Sequence, residues 1–101
     1  MRLFLRQATA MRIPPGFREL CSGLHQDALY LAQGSVERLA ANCISFVRQE
    51  HRADLREFLR IELAVRTASE LKGVIKRQKP DIFFSSSAAR TFLENVYQRL
   101  D

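Results

Sequence analysis

Residues 85–100 read SSSAARTFLENVYQRL, and their spacing decides the fold class. Ala89, Phe92, Leu93, Val96, Tyr97 and Leu100 recur at the three-and-four interval that collects side chains on one face of an α-helix. Ser85, Ser86 and Ser87 supply hydroxyl caps for its first turn.

Working back toward the N-terminus, Asp81-Ile82-Phe83-Phe84 is too short for a helix and reads as an extended apolar plug lying across the core. Pro80 closes the helix before it. That helix opens at Thr67-Ala68-Ser69-Glu70, a capping-box spacing in which the Thr67 hydroxyl accepts from the Glu70 amide while the Glu70 carboxylate reaches back. It turns Leu71, Val74 and Ile75 inward and its lysines outward. Gly73 within it costs roughly 1 kcal/mol relative to Ala unless a neighbouring helix packs closely there.

The longest helical signal spans 49–66, with Leu55, Phe58, Leu59, Leu63 and Val65 inward and Arg56, Glu57 and Arg60 outward. Glu62 projects near the middle of that apolar face, where it reads as a carboxylate reaching water or one of the many arginines, the alternative being a buried partner-binding or catalytic acid. Further back, Gly34-Ser35 is a stop-and-start pair ahead of a helix over 36–47 that buries Val36, Leu39, Ala40, Cys43, Ile44 and Val47. Pro15 opens a helix over 15–25 with Phe17, Leu20, Cys21 and Leu24 on one stripe. The sum is an all-α fold, a compact antiparallel bundle of four to five helices. Residues 1–12 read as a poorly ordered arm and 13–101 as a single helical domain.

A chain of 101 residues and 11.6 kDa has room for one core, and 47% hydrophobic with 27% charged residues excludes the disordered, collagen-like and disulfide-scaffold classes. No apolar run approaches the ~20 residues that cross a bilayer, so no integral membrane protein is expected. Cys21 and Cys43 lack CxxC spacing or a secretory signal, which reads as reduced thiols in a cytoplasmic setting. The net charge of +5 raises the question of an anionic partner. Arg2, Arg6, Arg12 and Arg18 occur with no acid among them, and Lys72, Lys76, Arg77 and Lys79 precede Pro80. The arginines of 48–66 interleave with Glu50, Asp54, Glu57 and Glu62, the pattern of a solvated face.

Chemistry is sparse. Cys21 and His25 stand four apart on one helical face, but Cys43 and His51 form no second pair of recognised metal-ligand spacing. The glycines at 16, 23, 34 and 73 make neither GxGxxG nor a phosphate loop. No catalytic residue, metal or cofactor is expected, and the chain reads as a non-enzymatic protein. His25-Gln26-Asp27 differs in kind. This polar triplet separates two apolar runs, where Asp27 can cap a helix while His25 and Gln26 cross-link helices or form an exposed recognition spot.

The order Phe17, Leu20, Leu24-His25-Gln26-Asp27, then Leu55, Phe58-Leu59, Leu63, then Ser69-Glu70-Leu71, and finally Ser87, Arg90, Phe92-Leu93, Val96, Leu100 resembles the small immunity proteins of bacterial contact-dependent growth-inhibition systems. The likeness runs over nearly the whole chain from residue 17, and its pointed motif is His-Gln-Asp. The resemblance implies a cytoplasmic helical protein that binds and blocks the toxic C-terminal domain of a delivered effector. Candidate partner-binding residues are His25, Gln26 and Asp27 with Arg56 and Arg60. The rival expectation is a basic helical module that sets Arg12, Arg18, Lys72, Lys76, Arg77 and Lys79 against nucleic-acid phosphates.

Overall fold

Thr67 Oγ1 accepts from the Glu70 amide at 3.2 Å, and the Glu70 carboxylate accepts from the Thr67 amide at 2.9 Å, so the capping box opens a helix where the sequence places one. A computed structural model describes residues 13–100. The expected arm, 1–12, lies outside the described residues.

The elements in chain order are α1 (Pro15–Ser22), α2 (Ala28–Leu31), α3 (Val36–Ile44), a 3-10 turn (Gln49–His51), α4 (Arg52–Val65), α5 (Ala68–Lys76) and α6 (Ser86–Arg99). The fold is all-α, as the periodicity predicts. Its six α-helices among the described residues exceed the expected four to five, because 28–31 forms a turn of its own.

α6 is the hub, packing against α3, α4 and α5, while α1 closes on α3 and α4, and α2 leans on α3. Ala89, Phe92, Leu93 and Val96 form its buried stripe, continued by Leu100 beyond the last turn. Ala89 is fully buried, and the ring of Phe92 stacks on Phe84, centroids 5.1 Å apart. Phe17 meets Phe58 at 5.2 Å, fastening α1 to α4. One cluster of buried side chains thus runs from Phe17 to Leu100.

Several boundaries and facings differ from the sequence reading. α1 stops at Ser22 rather than residue 25, because the Gly23 and Leu24 amides turn back three residues, to Leu20 at 3.1 Å and Cys21 at 2.9 Å. α3 stops at Ile44 for the same reason, with Ser45, Phe46 and Val47 each bonding three residues back. Val65, expected inward, is 66% exposed: the stripe is centred on Leu55, Leu59 and Glu62, and at 100° per residue Val65 falls roughly 90° from that centre. The 81–84 segment is only half a plug. Ile82 and Phe84 pack on the core in the alternation of an extended chain, while Phe83 faces solvent.

Candidate functional site

The candidate site is a surface that carries the polar triplet singled out in the sequence. It is assembled around the turn between α1 and α3. Gly23 starts it: a Cβ there would stand 2.9 Å from Phe46 Cδ2 and 3.0 Å from Cys43 Sγ, so only a bare backbone passes between this turn and α3. His25 follows with its ring edge toward Phe46, centroids 6.4 Å apart and planes at 72°. The Asp27 amide donates to His25 Nδ1 at 3.3 Å, which in the neutral ring leaves the proton on Nε2. Asp27 stands at the N-cap of α2, yet its side chain makes no capping hydrogen bond, contrary to the capping role read from the sequence. Its carboxylate and the Gln26 amide are exposed.

α2 then presents three successive large apolar residues to water: Leu29 is 44% exposed, Tyr30 84% and Leu31 60%. Only Ala28 and Ala32 turn into the core. Three neighbours in a row cannot all face inward on a helix, and this one has a single anchoring edge. Its C-terminal end is locked. The Gly34 amide reaches the Leu29 carbonyl at 3.0 Å and the Gln33 amide reaches Tyr30 at 3.0 Å, a Schellman closure with Gln33 in the left-handed position at φ 55°. Gly34 follows at φ 74°, where a side chain would be strained. Gln33 gains a compensating bond from the Arg38 guanidinium. The loop after α5 buttresses the turn from beneath, through the Asp81 amide and the Leu24 carbonyl at 2.9 Å.

The other two candidate anchors sit on a different element with other partners. Arg56 is half-buried, donating to the Leu100 carbonyl at 2.6 Å and lying 4.6 Å above the Tyr97 ring, so it clamps α4 to the end of α6. Arg60 grips Glu57 through two hydrogen bonds, and this pairing both lowers the Glu57 carboxyl and raises the Arg60 guanidinium from their ordinary values. The structure brings His25 and Asp27 together and commits Arg56 to the fold.

Neither cysteine is poised as a nucleophile. Burial pushes both thiols up to about 12, Cys43 adding to the effect at Cys21, so both hold their protons at neutral pH. Among the described residues no group of three His, Cys, Asp or Glu side chains could hold a metal ion. None of the described helices is long and apolar enough to cross a membrane.

At this surface, the exposed residues that sequence reasoning missed are Leu29, Tyr30, Leu31 and Phe46. The signal for the first three was the uninterrupted apolar run itself, which exceeds what one short amphipathic face can bury. Compared with family models, curated proteins and solved structures, the chain finds no match.

Proposed function

We propose that the chain is a non-enzymatic binding protein, an immunity-type inhibitor that seats the α2 face on the toxic domain of a delivered bacterial effector. The observation that carries this reading is the row Leu29, Tyr30 and Leu31, held outward by a closed helix end directly after His25-Gln26-Asp27. Exposed large apolar residues in one patch are the usual core of a protein interface, and tyrosine is among the side chains that dominate binding energy. The polar triplet beside them supplies the hydrogen-bonding rim. A rigid backbone lowers the ordering cost of association, which favours a tight inhibitor over a loose adaptor. The motif resemblance supplies the kind of partner.

The test is co-expression with a toxin domain encoded beside the chain. Survival of cells making the toxin only when this protein is present, and its loss in Tyr30→Asp and Leu31→Asp, is the expected result. Absence of both protection and complex formation would overturn the reading.

A further inference from the structure

A second surface has a different chemistry. Three residues beyond the end of α5, Lys79 holds φ 56° although it carries a side chain. The Gln78 and Lys79 amides still bond the Ile75 and Lys76 carbonyls at 2.9 and 3.0 Å, so this backbone is well anchored. The turn sends the chain back along α5, where Pro80, Ile82, Phe83 and Phe84 close a crevice of about 20 Å³ with Lys72, Ile75 and Lys76. Phe83 is 81% exposed at its lip, whereas Ile82 and Phe84 are half-buried beneath it.

The cations here are uncommitted. The ion pairs among the described residues engage Arg48, His51, Arg60, Arg66 and Arg90, and none engages Lys72, Lys76, Arg77 or Lys79. Of the acids nearest in sequence, Glu70 is occupied in the capping box and Asp81 stands alone against four cations. Lys72 and Lys76 are one helical turn apart, about 5–6 Å between Cβ atoms, a spacing that suits successive phosphates of a flexible strand.

We propose that the surface formed by α5 and the 80–84 loop binds single-stranded nucleic acid. Lys72 and Lys76 take phosphates, Phe83 stacks a base, and Arg77 with Lys79 extend the phosphate track around the helix end. Arg18, grouped with these cations from the sequence, belongs to α1, and Arg12 lies outside the described residues. An anionic bilayer would satisfy the same charges but rewards a broad apolar face, and this surface offers one ring, the width of one base. This proposal is independent of the α2 interface.

The test is fluorescence anisotropy of labelled oligo(dT) titrated with the protein between about 50 and about 200 mM salt. Phe83→Ala is expected to weaken binding about five-fold or more. Lys72→Gln with Lys76→Gln should lower the slope of log affinity against log salt by about 1.4. Arg48→Gln, which removes a paired cation elsewhere, should leave that slope unchanged. Circular dichroism of each variant separates binding from folding. Three results would overturn the site: equal affinity in Phe83→Ala, equal slope loss in Arg48→Gln, or binding confined to phosphatidylserine vesicles with none to the oligonucleotide. Failure to bind either probe would overturn it as well.

Discussion

Glu62 on α4 and Arg66, the residue that caps its C-terminal end, meet at 3.0 Å, and only the arginine has appreciable access to water, with side chains 5% and 31% exposed. The pair is therefore asymmetric. Removing Arg66 strands a carboxylate in the apolar stripe, whereas removing Glu62 leaves a guanidinium that can swing outward. Arg66→Ala is expected to cost about 1–3 kcal/mol in urea denaturation, and Glu62→Met less than about 1 kcal/mol. Equal losses would show that the carboxylate is better solvated than its burial implies.

Gly73 and Gly23 predict opposite responses to the same added methyl. A Cβ on Gly73 would meet nothing within 4 Å, so Gly73→Ala gains helix propensity alone and should stabilise by about 1 kcal/mol. A Cβ on Gly23 would stand 3.1 Å from the Cys43 backbone as well as against Phe46, and Gly23→Ala should lower the melting temperature by forcing the turn off α3. A Gly73→Ala protein no more stable than the parent would mean that α5 is restrained by something other than its propensity.

Glu19 ties α1 to the start of α4. Its Oε1 lies 3.0 Å from His51 Nδ1 and accepts the Arg48 amide at 3.1 Å, and the hydrogen bond to His51 is the foremost reason its carboxyl falls below the usual value of 4.5. A lowered folded-state value means that the unfolded chain binds the proton more readily. The contribution is present above about pH 4.5 and lost as pH falls through the folded value. Glu19→Gln should therefore show a shallower loss of urea midpoint between neutral pH and about pH 3 than the parent does. Parallel curves would dismiss the tie as inert.

The helices were legible because their caps and stripes are local. Thr67 with Glu70, Ser35, Ser85 and the Phe92-to-Leu100 series each encode their own geometry within a few residues. Where short-range rules compete with tertiary packing, the sequence misled: Arg56 reads as a surface charge on a mixed face but bonds Leu100, 44 residues away. Likewise, no local rule says that Phe83 faces outward while Phe84 stacks on Phe92, since both phases of an extended apolar run look alike until the partner helix is in place. His25-Gln26-Asp27 was legible as a polar interruption. The apolar face beside it was not, because Leu29 and Leu31 look like core residues until the fold is seen to bury only Ala28 and Ala32 of this run.

Cys21 and Cys43 provide an alkaline signature that tests the packing of α1 against α3. Both are free, buried and pushed up to about 12, mainly by loss of water around the thiolate, against an ordinary value of 9.0. Above pH 9.0 the unfolded chain releases these protons while the folded one retains them, so stability must fall as pH rises from there toward about 12. Other groups titrate in the same range, and the variant Cys21→Ala with Cys43→Ala isolates the thiols: its urea midpoint should drop less between about pH 8 and about pH 10 than the parent's. The core loss from the two alanines displaces the whole curve without altering this slope. In parallel, an aromatic disulfide reagent should modify the native thiols far more slowly than those in urea. Native labelling as fast as in urea would place both sulfurs in water and break the contact between the first helix and the third.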